Sequence, residues 1–161
     1  MLATIVAVAL FAGLVYWFPI RAWYRRSDAR HIEPLRAMSG DTVILTPDYE
    51  STLAISVNAP VVAVWEALLR FGRAAQLPIR SIDPARALVA RGRTGGREWT
   101  WQFELSPLDE RRTRVILRDG SRATSTAPPW LSLIIPRLVS FVSTRKMLLD
   151  IKTAAEQSAR A

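Results

Sequence analysis

A chain of 161 residues with half its side chains apolar suits one ordinary domain plus an appendage, and it excludes disorder throughout. The absence of cysteine excludes a disulfide framework, a thiolate zinc site and a cysteine nucleophile. Basic residues outnumber acidic ones by 22 to 14, giving a net charge of +8. All but Lys146 and Lys152 are arginines, whose guanidinium groups pair with phosphates, carboxylates and aromatic faces. The charge lacks the clustering and the reading module that a nucleic-acid platform needs, so no nucleic-acid partner is expected.

Leu2 to Ile20 carries no charged side chain, and only Thr4, Gly13, Tyr16 and Pro19 interrupt its apolar content. At about 1.5 Å per residue, about 20 such residues cross a hydrocarbon core of about 30 Å. Tyr16, Trp17, Phe18, Trp23 and Tyr24 gather at the far end, where amphipathic rings favour the headgroup layer. Residues 1–20 are therefore expected to form one N-terminal transmembrane helix. A cleaved signal peptide would need a basic stretch before the apolar run, and none precedes it; a core helix would be amphipathic rather than apolar all round. Arg21, Arg25, Arg26 and Arg30, against Asp28 and Glu33, make residues 21–47 a basic juxtamembrane connector. Membrane lipids are the partner expected for residues 1–26, and the flanking arginines place everything after them on the cytoplasmic side of the cell membrane. His31, the only histidine, reads as a solvated linker residue rather than a base or metal ligand.

The soluble domain is expected over residues 48–161. Ser51 to Asn58 alternates, with Leu53, Ile55 and Val57 on one face, as a half-buried strand does. Asn58-Ala59-Pro60 reads as a helix entry capped by Asn58, and Val61, Val64, Trp65, Leu68 and Leu69 share one helical stripe. Gly72 is the expected stop, with a second helical turn over Ala74 to Leu77. Short strands follow at Ile79 to Ile82 and Ala87 to Arg91, the latter ended by Gly92 and the Gly95-Gly96 pair. Glu98 to Leu105 has Trp99, Trp101, Phe103 and Leu105 on one face, rings that something must cover. Ser106 to Asp109 reads as a turn, Thr113 to Arg118 as a strand, and Asp119-Gly120 as a hairpin turn leading to a last strand, Ser121 to Thr126. A long helix from about Leu133 to Ser158 is expected to place Ile134, Leu138, Phe141, Leu148, Ile151 and Ala155 on its apolar stripe. Strands gathered between helices predict an α+β fold.

Two stretches carry a family resemblance. Ile55-Ser56-Val57-Asn58-Ala59-Pro60 followed by Val64-Trp65-Glu66-Ala67-Leu68 resembles the first strand and first helix of the START-like, or polyketide-cyclase-like (SRPBCC), superfamily. Trp99 to Pro107 and Arg112 to Val115 are similar to its late strand pair, and the long terminal helix completes the order over about residues 48 to 160. The resemblance implies a helix-grip fold, a curved antiparallel sheet wrapped around the long C-terminal helix and enclosing an apolar cavity. Members bind sterols, lipids, polyketides, quinones or plant hormones, and some catalyse cyclisation or aromatic-ring chemistry. The domain is short here and its second small helix is barely present, which counts against a large cavity.

Trp65, Leu68, Trp99, Trp101, Phe103, Phe141, Arg145, Leu148 and Ile151 are the candidate cavity residues. Each apolar member could equally be core filling. Arg145, near the inward stripe, would either hold an anionic head at the cavity mouth or reach past it to solvent. The run from Trp130 to Val142 is too short to span a bilayer and reads as a lid, an interfacial surface or helix core. No phosphate loop, metal-ligand spacing or nucleophile elbow appears, so no catalytic residue, metal or cofactor is assigned. The sequence thus points to a membrane-tethered binding module for an apolar small molecule or lipid. The alternatives are a cyclase or aromatase using the same cavity and an interaction domain with a closed core. Nothing in the sequence fixes the oligomeric state.

Overall fold

The computed structural model describes residues 37–124 and 129–160, with residues 129–142 as backbone only. The expected transmembrane helix, the arginines that follow it, His31 and the side chains of Trp130 to Val142 lie outside the described residues. Among the described residues no helix is long and apolar enough to cross a membrane.

Five antiparallel strands form one sheet: β1 (Tyr49–Val57), β2 (Ile79–Asp83), β3 (Ala87–Thr94), β4 (Arg97–Asp109) and β5 (Arg112–Ala123). The order is β1-β5-β4-β3-β2, so β1 closes onto the last strand while the other four run as a meander. Helix α1 (Val61–Ala74) joins β1 to β2, and helix α2 (Pro129–Ser158) ends the chain. The architecture is the expected α+β sheet with a long C-terminal helix.

Side chains paired across neighbouring strands share a face. The register Leu53↔Leu117↔Phe103↔Leu88 therefore defines one apolar layer through four strands, and Ile55↔Val115↔Leu105 the next. Val64, Trp65 and Leu68 of α1, with Met147, Leu148, Ile151 and Ala155 of α2, complete this core. The spacing of the four α2 residues, together with the buried Thr144, is that of a single helical stripe. Polar contacts pin the helix end to β1. Lys152 Nζ donates to the Ser56 carbonyl at 2.8 Å, and Glu156 Oε1 accepts from the Asn58 N–H at 2.8 Å. Thr113, fully buried, donates its hydroxyl to the Ala59 carbonyl at 2.8 Å and locks the strand to the helix entry.

The opposite face of the sheet is polar and also covered. Residues 37–47, assigned to the connector by sequence, run as a strap over it. Met38 packs with Ala54 and Ile116, and Ile44 is buried. The Asp41 carboxylate accepts from Arg118 Nη1 at 2.8 and 2.9 Å and from the Met38 N–H at 2.8 Å. Gly40 lies so close to Gln102 that a Cβ would approach its Cδ to 2.7 Å.

Several expected boundaries move, each for a local reason. The Asn58 side chain does not cap α1; Pro60 holds the cap position and no side chain bonds there. Gly72 is buried inside the helix rather than ending it. The stop is a Schellman motif, in which the Leu77 N–H bonds the Gly72 carbonyl and the Gln76 N–H the Arg73 carbonyl. Gln76 takes the left-handed position at φ 49°, so Ala74 to Leu77 is this terminator and not a second helix. Gln76→Gly is expected to raise stability by about 0.5–1 kcal/mol by removing the Cβ penalty at that φ, measured as a higher urea midpoint with unchanged slope.

The third strand continues through Gly92 to Thr94, and the turn forms at Gly95 and Gly96, both with positive φ. Ser106 and Pro107 extend β4, a register shift near Pro107 absorbing the proline. Asp119-Gly120 is not a turn but the middle of β5, paired on one side to Ser51 and Glu50 and on the other to Trp101 and Thr100. Ser121 to Ala123 is the end of the same strand, and no separate last strand exists among the described residues. Helix α2 begins at Pro129, four residues before the expected start, since proline is at home in a first turn.

Candidate functional site

The candidate residues fall into two groups along the sheet's inward face. Leu68, Phe103, Leu148 and Ile151 are nearly inaccessible, and Trp65 is buried beside them. All five belong to the packed core between the sheet, α1 and α2. Trp99 and Trp101 continue the same stripe of β4, pack against that core and remain half-buried. Their ring centroids are 5.3 Å apart and tilted by 45°, an ordinary attractive aromatic geometry. Arg145 is half-buried, adjacent to the Thr144 to Leu148 stripe. Phe141 lies outside the residues whose side chains are described.

The Trp99 indole is positioned by a glycine. Gly92 is its cross-strand partner, and a Cβ on Gly92 would come within 2.2 Å of Trp99 Cζ2. The ring thus lies directly over the β3 backbone, and the expected strand terminator is instead the floor beneath an aromatic plate. Gly92→Ala is expected to displace the Trp99 ring and to cost about 1–3 kcal/mol from overpacking. Altered indole emission together with a lowered thermal midpoint checks it.

Sequence reasoning missed Asp119. Its register partners Trp101 and Ser51 put it on the inward face, where it is only 4% exposed. The signal was present: Thr113, Val115, Leu117, Asp119 and Ser121 alternate without a break, but the Asp-Gly pair reads as punctuation. The inward surface near the indoles therefore combines two half-buried aromatic plates with a carboxylate flanked by Ser51 and Ser121. On the facing helix Thr144 is buried as well. Such a surface can accept a flat apolar molecule and orient one polar group of it.

Solved structures share this architecture. A sheet closed by its first and last strands, gripping a terminal helix, matches the di-domain aromatase/cyclase BexL of the BE-7585A biosynthetic pathway with TM-score 0.53, 19% identity, and coverage of 67% of this chain and 46% of that one. The di-domain aromatase/cyclase StfQ of the steffimycin biosynthetic pathway matches with TM-score 0.55 at 13% identity, over 70% of this chain and 52% of that one. Norcoclaurine synthase of Thalictrum flavum matches with TM-score 0.51 at 11% identity, over 68% and 95%. The fold is the helix grip. Helix-grip likeness at these identities concerns architecture, and the chain spans about half the length of the two di-domain proteins. No protein-family model matches the chain, and no curated protein matches it in sequence.

Proposed function

We propose that the domain is a binding module that holds an apolar small molecule or lipid against the inward face of the sheet, beside Trp99 and Trp101. One observation carries this reading. Along a single face of β4, Phe103 and Leu105 are sealed into the core, yet the two larger rings that continue the row are only half-buried. Core filling alone would favour sealing the indoles, which carry the most apolar area. The helix-grip fold, shared with aromatase/cyclases, supports a small molecule as occupant. The uncharged run from Leu2 to Ile20 supports a tether in the bilayer, with the domain on the cytoplasmic side, so that an apolar ligand would leave the membrane close to its site.

Asp119 favours a second reading, a cyclase or aromatase acting in the same place. A buried carboxylate beside an aromatic surface is suited to accept a proton from a bound substrate. Native mass spectrometry of the full chain, purified in detergent, tests the proposal. Reproducible co-purification of one apolar compound, lost in Trp101→Ala, supports it. A clean apo mass after extraction from several detergents, with no change in indole emission on adding apolar aromatics, favours a closed interaction domain. Conversion of a bound polyketone that stops in Asp119→Asn favours the enzyme.

A further inference from the structure

Charge is divided unevenly between the two ends of the sheet. Where β4 turns into β5, Asp109, Glu110, Arg111 and Arg112 cancel one another. Asp109 accepts from Arg112 Nε at 2.7 Å and from the Arg111 N–H at 2.9 Å, and the Arg112 hydrogen bond holds its carboxyl below the usual range.

The other end is built differently. On the outer face, Arg91, Arg93 and Arg122 surround one carboxylate, Glu98, whose register partners are Arg93 and Arg122. Arg91 alone satisfies it, through hydrogen bonds from Nε and Nη2, while the Arg93 guanidinium stands 3.9 Å away with 70% of its side chain exposed. Arg97 adds a further charge, donating to Ser121 Oγ at 3.1 Å, and Asp48 returns one by accepting from the Ala123 N–H. Since β2 begins only at Ile79, opposite Ala90, the outer edge of β3 beyond Arg91 has no strand beside it among the described residues. A cleft of about 370 Å³ opens there, lined by Arg80, Arg91, Gly92, Arg93 and Glu98.

We propose that this end of the sheet docks on the anionic headgroup layer of a membrane, with Arg80, Arg93 and Arg122 meeting lipid phosphates. Guanidinium groups match phosphate oxygens in pairs, and Arg80, Arg93 and Arg122 are all exposed at this end of the sheet. The occupant follows from the rest of the chain and rests on the tether reading. If Leu2 to Ile20 spans the bilayer, the sixteen residues 21–36 reach at most about 55 Å fully extended, so the domain never leaves the neighbourhood of the headgroups. At that range a patch worth about fivefold in occupancy per arginine sets which end faces the surface. The docked pose would turn the Trp99 end of the inward face toward the bilayer, because Thr94 to Arg97 is the turn beside it.

The chain has no native cysteine, so single labels are straightforward. Thr94→Cys and Glu110→Cys, at the two opposite turns, are labelled in the full chain and placed in nanodiscs carrying a headgroup-attached quencher. In phosphatidylserine-containing discs the label at position 94 is expected to be quenched more than that at 110. Arg80→Gln with Arg93→Gln should lower the docked-to-undocked ratio about 25-fold, and raised salt should act likewise. Arg111→Gln should leave the ratio unchanged. Equal quenching at both turns, or indifference to the paired substitution, overturns the proposal. Failure of the chain to enter discs removes the tether reading instead, and flotation with phosphatidylserine vesicles then reads the same surface. Flotation that depends on Arg80 and Arg93 upholds it; no flotation, or a preference for duplex RNA at equal salt, overturns it.

Discussion

Phe103→Ala is expected to lose about 3–5 kcal/mol of stability, while Trp101→Ala, two residues away on the same face, loses about 1–2 kcal/mol and takes ligand binding with it. Phe103 is 1% exposed and is the largest fully buried side chain among the described residues. It lies between Leu88 and Leu117 across the strands, so no neighbour can close the gap left by its ring. A loss of this size is a large share of the roughly 5–15 kcal/mol that stabilises an ordinary domain. Trp101 is only half-buried and its removal opens toward an existing surface, so less contact is forfeited. Urea titrations give the two stability losses, and native mass spectra of the same samples give ligand retention. Equal midpoints for the two variants would show Trp101 to be core like its neighbour.

Asp41→Ala is the other large effect, with an expected cost of about 3 kcal/mol. Arg118 is 4% exposed, and both oxygens of Asp41 face its Nη1. Glu50 also stands near Arg118, 3.8 Å from its Nε, but is 46% exposed, and the Thr52 hydroxyl accepts from Nε at 3.3 Å. Removing the two hydrogen bonds that Asp41 accepts leaves part of the desolvation cost of a buried guanidinium uncompensated. The Met38 N–H loses its acceptor in the same step, so the strap should detach from Ala54 and Ile116. Faster amide exchange at Met38 alongside a lower urea midpoint would report both. Glu50→Ala, which touches the same arginine from a more exposed position, should change stability by no more than about 1 kcal/mol.

The elements most legible in the sequence were those with unbroken periodicity. The indole stripe of β4, the alternation of β1 and the stripe of Leu148, Ile151 and Ala155 all register a face turned toward a core, and the structure has each facing inward. What failed was punctuation. Glycine, asparagine and aspartate mark a stop only if the chain has no partner beyond them. Gly92 and Gly120 instead make room for a neighbour, the Trp99 ring in one case and the Thr100 hydroxyl, 3.0 Å from where a Cβ would stand, in the other. Which neighbour arrives is decided by strands far away in sequence, so no local window contains it. The strap was hidden for a similar reason, since Met38, Asp41 and Ile44 follow no helical or strand period. Of the candidate site, the rings were readable and Asp119 was not, because its meaning changed with the strand around it.

The closing of β1 onto β5 has a consequence for how the chain is made. Each rung of that pair joins residues on the order of sixty positions apart, and among the described residues β1 has no other strand beside it. A ribosome adding about 5–20 residues per second leaves β1 waiting for several seconds after it emerges. During that interval Leu53, Ile55 and Val57 have only helix α1 to shield them. Pairing of the first strand must therefore wait for β5, and its inward face is covered only once α2, which follows β5 in the chain, packs against the sheet.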